Sequence, residues 1–316
     1  MTLLSSKRVL VLGNMHELVL EYLQQNTDMV QIKKADEVSR FLAKEGGSIH
    51  AVISSAYLGL KKEWIDLLPA LEVVCNFGVG YDSTDVEALK ARGISFSNTP
   101  DVLNDGVADT TMALLLATMR KVCLADKFVR AGEWEKGVFP LTPGLSAKKV
   151  GIVGLGSIGK VIAKRLSGFD CEIAYHNRRK RDDVSFRYEA SLIELARWAD
   201  VLIVATVGGA GTRHLINADV LAALGPKGFL VNIARGSVVD EQALITALQT
   251  GTIAGAGLDV FENEPFVPLA LRQLDNAVLM PHLGSGTIET RLVMSQLVIA
   301  NFEQFYQQGK LVTPVV

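Results

Sequence analysis

The sequence lacks the features that mark several protein classes. It has three cysteines in 316 residues, Cys75, Cys123 and Cys171, too few and too far apart for a disulfide framework or a CxxC metal site. That usage fits a reducing cytoplasm, and no metal ion is expected. There is no basic excess either. Lys and Arg number 32 against 34 Asp and Glu, and the net charge of −2 removes the electrostatic case for binding nucleic acid. Long apolar runs are missing: the strongest, residues 112–119, is about half of the ~20 residues a membrane span requires. No membrane association is therefore expected. The start carries no basic segment ahead of an apolar stretch, since Lys7 and Arg8 precede only the short β-like run 9–12, so no signal peptide is expected. No low-complexity tract or repeat of fixed period is visible.

What is there is apolar and alternating. Hydrophobic residues make up 49%, enough for two cores, and at roughly 150 residues per domain the length suggests about two domains. Short β-branched runs at 8–12, 30–33, 51–54, 72–76 and 94–97 alternate with amphipathic stretches at 15–25, 36–44, 61–67 and 84–91. A long apolar helix is expected over 102–124, and an extended Gly- and Pro-bearing loop over 131–146. A second series places strands at 149–153, 172–176, 201–205, 229–233, 257–260 and 277–280, with helices between them, for instance at 159–168, 191–198 and 240–250. The tail 288–308 reads as helix, and it could pack back on the first unit. Near-continuous apolar strands separated by helices imply an α/β fold of parallel sheets covered on both faces.

The most informative local feature is Lys149-Val-Gly-Ile-Val-Gly-Leu-Gly-Ser-Ile-Gly159. A strand runs into Gly154-x-Gly156-x-x-Gly159 and a helix begins. In such a turn the first glycine permits the bend, the second lets the backbone approach a pyrophosphate, and the third lets helix and sheet pack closely. The helix N-terminus then offers N–H groups and partial positive charge to phosphate. Leu155, Ser157 and Ile158 complete this dinucleotide-binding turn. About 20 residues on, where NAD binders place a carboxylate for the ribose 2′-hydroxyl, the chain reads Asn177-Arg178-Arg179. An acid there would repel a 2′-phosphate, whereas guanidinium binds it bidentately. A preference for NADP (NADPH) follows, with NAD used less well.

Three polar residues follow strands further on: Arg235, Glu264 and His282. In a parallel sheet, ligands sit beyond the carboxyl ends of strands, the edge that carries the cofactor. Hydride transfer to a 2-oxo acid builds negative charge on the carbonyl oxygen. A histidine can supply the proton, a carboxylate on its other nitrogen fixes its tautomer, and an arginine can grip a substrate carboxylate while polarising the ketone.

These motifs resemble the D-isomer-specific 2-hydroxyacid dehydrogenase family over nearly the whole chain. They are Gly154-Leu-Gly-Ser-Ile-Gly159, Asn232-Ile-Ala-Arg-Gly236, Gly257-Leu-Asp-Val-Phe-Glu-Asn-Glu-Pro265 and Pro281-His-Leu-Gly-Ser285, in order and at family-like spacings. The resemblance implies Arg235, Glu264 and His282 as the catalytic set, with His282 as acid/base and Glu264 as its partner. It also implies Thr206, Val207, Ile233, Ala234, Asp259 and Gly284 as further cofactor contacts. In the first half, Asn76-Phe-Gly-Val-Gly-Tyr-Asp82 follows a strand, and its bare backbone could form a small anion nest. The resemblance places the backbone of Val79 and Gly80 at the substrate carboxylate. Leu58, in Tyr57-Leu-Gly-Leu60, also follows a strand and is a candidate for the substrate side-chain pocket.

The implied architecture is a Rossmann cofactor domain, residues 101–284, inserted in a flavodoxin-like substrate domain, residues 1–100 plus 285–316, each a doubly wound parallel sheet. Within the family, Asn177-Arg-Arg179, Leu224-Gly-Pro-Lys-Gly228 and Pro281 through Arg291 look most like NADP-dependent glyoxylate/hydroxypyruvate reductases, including those of hydroxyphenylpyruvate type. The expected activity is reduction of a small 2-oxo acid to the D-2-hydroxy acid. A larger substrate such as hydroxyphenylpyruvate is one alternative. A cofactor-gated corepressor-like binding protein of the same fold is the other. One departure is Val207-Gly-Gly-Ala-Gly-Thr212, where the family usually carries a proline-containing loop. The family's formate dehydrogenases carry glutamine where Glu264 stands, which argues against that activity. A homodimer is implied, with the helix over 102–124 at its interface and Trp134 or Phe139 reaching the neighbouring site.

Overall fold

The computed structural model describes residues 4–316. The chain divides into two compact units, Met1–Leu103 with Thr287–Val316, and Asn104–Gly286.

The first unit alternates β1 (Arg8–Leu12), α1 (Glu17–Asn26), β2 (Asp28–Ile32), α2 (Ala35–Glu45), β3 (Ala51–Ser55), α3 (Lys62–Ile65), β4 (Val73–Phe77), α4 (Val86–Ala91) and β5 (Ser95–Ser97). The five strands form one parallel sheet in the order β2-β1-β3-β4-β5. This is the doubly wound order of flavodoxin-like folds, whose switch point lies between β1 and β3. The inner strands β1, β3 and β4 are almost wholly buried, which is why they read as unbroken apolar runs. One core, built on Leu10, Val52, Val74, Phe96 and Trp64, lies on one face of this sheet.

The second unit runs α5 (Asn104–Met119), α6 (Val122–Arg130), β6 (Lys149–Val153), α7 (Ser157–Leu166), β7 (Glu172–His176), β8 (Arg187–Tyr188), α8 (Leu192–Trp198), β9 (Val201–Val204), α9 (Ala218–Leu224), β10 (Phe229–Asn232), α10 (Glu241–Gln249), β11 (Gly255–Leu258), α11 (Leu269–Arg272) and β12 (Ala277–Leu279). Its seven parallel strands are ordered β12-β11-β10-β9-β6-β7-β8, the dinucleotide-binding order extended by one strand. Chain order then returns to the first unit with α12 (Ile288–Gln308), which lies on β4 and α1. The guanidinium of Arg291 sits over the Phe77 ring, 5.4 Å from its centroid. Beyond α12, buried Asn301 bonds the backbone N–H and hydroxyl of Thr313, whose hydroxyl donates to the carbonyl of Asn98.

The expected single helix over 102–124 is two. α5 ends at Met119, and Lys121 takes a left-handed φ of 50° that turns the chain into α6. The apolarity of α5 is also accounted for inside the unit. A Cβ on Gly257 of β11 would come within 2.8 Å of Thr118 Oγ1 and 3.2 Å of Leu114, so α5 lies directly on bare sheet backbone. It is α6 that buries no residue. Two-residue β8 has no counterpart among the expected strands. Its role is visible only in three dimensions, where Tyr188 packs on Tyr175 of β7 at 5.4 Å between ring centroids.

A lysine in the left-handed region costs about 1–2 kcal/mol relative to its ordinary backbone, a cost glycine avoids. Lys121→Gly is therefore expected to raise stability by up to about 1 kcal/mol after the glycine entropy cost is deducted. The check is the midpoint of urea unfolding. A lower midpoint would show that the Lys121 side chain contributes more than its backbone costs.

Candidate active site

Six loops at the carboxyl edge of the seven-stranded sheet carry the residues singled out in the second unit. They follow β6, β7, β9, β10, β11 and β12, and the one after β7 holds Asn177, Arg178 and Arg179. In the first, Gly154 has φ 98° and a Cβ there would meet Thr206 backbone atoms at 2.6 Å. Glycine is therefore required on both counts. A Cβ at Gly159 would meet the Gly154 carbonyl at 2.5 Å, so α7 starts pressed against the turn. Around Gly156 the space is open within 4 Å, and no side chain caps α7. Bare backbone, an uncapped helix start and open space are what a pyrophosphate needs. These residues fit a dinucleotide.

Asn177 holds this turn in place: its Oδ1 accepts the Leu155 N–H at 2.7 Å. Arg178 and Arg179 are exposed and make no ion pair among the described residues. The basic residue beyond them is engaged. Arg181 and Lys160 share Asp183, at 2.7 and 2.9 Å, and these two cations hold its carboxyl well below the usual carboxylate range. Thr206 and Val207 open the loop after β9. There the Thr212 hydroxyl donates to the Val207 carbonyl at 2.8 Å, closing the turn in which the family's proline is absent.

After β10, buried Asn232 braces the next turn. Its Oδ1 accepts the Ala234 N–H at 3.1 Å and its Nδ2 donates to the Arg235 carbonyl at 3.0 Å. Ile233 and Ala234 are buried and Arg235 is half-buried, with one guanidinium N–H on the Ala234 carbonyl at 2.8 Å. Gly236 lies so close to the loop after β11 that a Cβ would fall 1.8 Å from the Phe261 carbonyl carbon.

The loops after β11 and β12 lock together. Asp259, 1% exposed, accepts the His282 N–H on its main-chain carbonyl at 2.8 Å. Its carboxylate accepts the N–H groups of Leu283 and Gly284 at 2.6 and 2.8 Å. Burial pushes the Asp259 carboxyl up; the two N–H groups and the His282 charge oppose that rise, and the Glu264 charge adds to it. His282 is thereby held at φ 53°, a left-handed conformation that costs a non-glycine residue on the order of 1–3 kcal/mol. Its Nδ1 meets Glu264 Oε2 at 2.7 Å, and Glu264 Oε1 accepts the Phe261 N–H at 3.0 Å. Burial raises the Glu264 carboxyl, but the His282 bond and charge, the Phe261 N–H and the Arg235 charge outweigh it, and the net shift is downward. His282 remains 41% exposed at its side chain, and Nε2 is its remaining ring nitrogen. Arg235, Glu264 and His282 are thus brought together on one sheet edge, joined through electrostatics and hydrogen bonds.

In the first unit, Leu58, Val79 and Gly80 follow β3 and β4 at the carboxyl edge of the five-stranded sheet. Buried Asn76 donates to the carbonyls of Gly78 and Gly80, both at 3.0 Å, and Asn98 donates to that of Val79 at 2.9 Å. In a trans peptide the N–H points opposite to the carbonyl. The amides of Val79 and Gly80 are therefore turned away from these two asparagines. Leu58 is partly buried beside Gly13, where a Cβ would meet its Cδ1 at 3.2 Å.

Sequence reasoning missed the bracing residues. Asn76, Asn98, Asn177 as a turn brace and Asn232 are short amides that hold the loops through backbone atoms, and no spacing announces them. It also missed Glu262, which accepts from Arg213 at 2.7 Å and contacts His214 Nε2 at 3.0 Å, joining the loop after β9 to the loop after β11.

Comparison with known proteins gives the family. Residues 112–284 match the model of the D-isomer specific 2-hydroxyacid dehydrogenase NAD binding domain. Hydroxyphenylpyruvate reductase of Plectranthus scutellarioides is 49% identical over 87% of this chain and 88% of its own. Glyoxylate/hydroxypyruvate reductase A of Arabidopsis thaliana is 44% identical over 98% of both. An NADPH-dependent glyoxylate/hydroxypyruvate reductase from Sinorhizobium meliloti, solved in complex with NADP and malonate, superposes with a TM-score of 0.93 at 47% identity, covering 99% of this chain and 97% of its own.

Because the fold lowers the pKa of Glu264 and so favours its carboxylate form, its contribution to stability is present at neutral pH and above the unfolded carboxylate range. It is lost as pH falls through the lowered value. Glu264→Gln is expected to flatten that acid limb. An unchanged acid limb in thermal melts from neutral pH to pH 3 would contradict the pairing.

Proposed function

This chain belongs to the D-isomer specific 2-hydroxyacid dehydrogenase family, and from that premise we propose that it reduces a small 2-oxo acid, such as glyoxylate or hydroxypyruvate, to the D-2-hydroxy acid with NADPH. The observation that carries the reading is the 2.7 Å bond between His282 Nδ1 and Glu264, on the sheet edge that also carries Arg235 and the glycine turn.

In this proposal the glycine turn, residues 154–159, holds the pyrophosphate. Thr206, Val207, Ile233, Ala234, Asp259 and Gly284 line the rest of the cofactor, with Asp259 also fixing the backbone of His282. When bound, the reduced cofactor supplies a hydride to the substrate carbonyl carbon. Arg235 holds the substrate through its carboxylate and polarises the ketone, a task suited to a planar fork of donors. Glu264 accepts the hydrogen bond from Nδ1–H and so fixes the direction of the ring, leaving Nε2 to donate a proton to the developing alkoxide. Val79 and Gly80 offer amides to the substrate carboxylate, and Leu58 borders its side chain. The corepressor-like alternative would not call for this donor set.

The NADPH preference rests on Arg178 and Arg179, both exposed and without a carboxylate partner among the described residues. The Sinorhizobium meliloti relative, described as NADPH-dependent, supports it. We also propose a homodimer and a cytoplasmic setting. The support for the dimer lies in the stretch that follows α5. Val122, Val129, Trp134, Val138 and Leu141 are exposed at 51, 54, 68, 89 and 102%, a density of bare apolar side chains that monomer surfaces seldom carry. Among the described residues no helix is long and apolar enough to cross a membrane.

Oxidation of NADPH at 340 nm with glyoxylate or hydroxypyruvate tests the reading. Turnover should exceed that with NADH, and the double change Arg178→Ala with Arg179→Ala should cost about ten- to a hundredfold in kcat/KM for NADPH while sparing NADH. Reduction consumes the imidazolium, so its rate should fall as pH rises, and His282→Ala should lose at least about a hundredfold in kcat. A wild-type preference for NADH, or substantial turnover in His282→Ala, would overturn these assignments. Sedimentation should show a dimer that Leu141→Glu weakens; a wild-type monomer refutes that part.

A further inference from the structure

Arg291 is the arginine that the fold does not explain. It lies in the first turns of α12, four residues past the Thr287 cap, where the helix dipole disfavours a cation. It is partly buried, and loss of water pulls its ionisation down with no opposing charge to restore it. Its neighbours on the helix face at three and four residues are Thr287, Ile288, Met294 and Ser295, none of them acidic. Glu289, two residues away, points around the helix. Among the described residues the guanidinium makes no hydrogen bond and no ion pair; it lies over the ring of Phe77. By contrast, Arg92 in the same unit donates to the carbonyls of Ile65 and Leu68. A half-desolvated cation at the wrong end of a helix destabilises a fold unless something outside the fold answers it.

Phe77 supplies the location. It is the last residue of β4, and the next three residues are the turn whose carbonyls are taken by Asn76 and Asn98 and whose Val79 and Gly80 amides face the other way. The ring that carries Arg291 is thus joined directly to the backbone that offers two N–H donors.

We infer that Arg291 is a substrate-binding residue: together with the Val79 and Gly80 amides it forms a carboxylate site in the first unit that takes the C1 carboxylate of the 2-oxo acid. The inference rests on the reductase reading and adds a charged member to its substrate site. The Phe77 ring holds the guanidinium beside this turn, and its N–H groups, which no protein acceptor takes, are available to an anion. The bound carboxylate supplies the counter-charge that the fold omits.

Oxalate, a two-carbon dicarboxylate, is the probe, and its affinity is read by calorimetry on the cofactor-loaded enzyme. Arg291→Met keeps the bulk over Phe77 and removes the charge. It should weaken oxalate by roughly ten- to a hundredfold, the loss expected for one charge-assisted pair, and raise KM for glyoxylate similarly with a smaller change in kcat. The melting temperature without oxalate should hold or rise, because an unpaired desolvated charge has gone. Arg291→Lys should recover part of the affinity. Unchanged oxalate affinity in Arg291→Met, or a lowered melting temperature with affinity retained, would make Arg291 structural and overturn the inference. If Arg291→Met does not fold, Arg291→Gln decides on the same affinity criterion. Failure of the reductase reading looks different: wild-type enzyme would then lack turnover with every 2-oxo acid, whereas failure here leaves wild-type turnover intact.

Discussion

The second unit depends on one buried carboxylate. Asp259 has almost no contact with water, yet it holds three successive backbone amides, those of His282, Leu283 and Gly284, through its carbonyl and both carboxylate oxygens. An isolated buried charge would be costly, and hydrogen bonds from backbone donors are what make it tolerable. In return, the amides hold a histidine in a backbone conformation it would not choose. The local strain is overdetermined by the surroundings, which is the condition under which strained residues persist at functional sites. Without this clasp the imidazole has no fixed direction, and the Glu264 bond has nothing to fix.

The same logic recurs in neutral form. Asn232 clamps the turn that carries Arg235, Asn177 clamps the glycine turn, and Asn76 and Asn98 clamp the turn of residues 78–80. Amide side chains suit this work because one group both donates and accepts, and so can occupy backbone atoms that would otherwise be left bare in a loop. Each clamp also orients the opposite face of its peptides. In the turn of residues 78–80, turning the Gly78 and Val79 carbonyls toward asparagines turns the Val79 and Gly80 N–H groups the other way. The direction of these backbone groups is thus set by side chains that pack behind the loops.

Much of this was legible beforehand. The bounds of β1, β6, β7 and α12 match the sequence reading residue for residue, since each is an apolar run or an amphipathic stretch with clear ends. Arg235, Glu264 and His282 stood out because each follows a strand in a parallel sheet. Other features were hidden for identifiable reasons. The break at Lys121 carries no glycine or proline to announce it. β8 is two residues long and exists through Tyr188 packing on Tyr175. The asparagine clamps act on backbone atoms near and far in sequence, so composition says nothing of them. The apolarity of α5 looked like a partner surface because the glycines of β11, which let it settle onto the sheet, belong to a strand more than a hundred residues later.

The closing segment of the first unit has a consequence for biosynthesis. The Thr313 hydroxyl donates to the Asn98 carbonyl across a separation of 215 residues, and Val315 donates to the Phe96 carbonyl. A ribosome delivers the chain in one direction, so β1 to β5 emerge long before the helix and tail that cover β4 and flank β5. The middle unit, continuous in the polypeptide, has all its strands available first. Nascent chains therefore carry a sheet that is complete in its strands but partly uncovered throughout the synthesis of the insert, an interval in which apolar surface and a bare strand edge invite chaperone capture or misassociation.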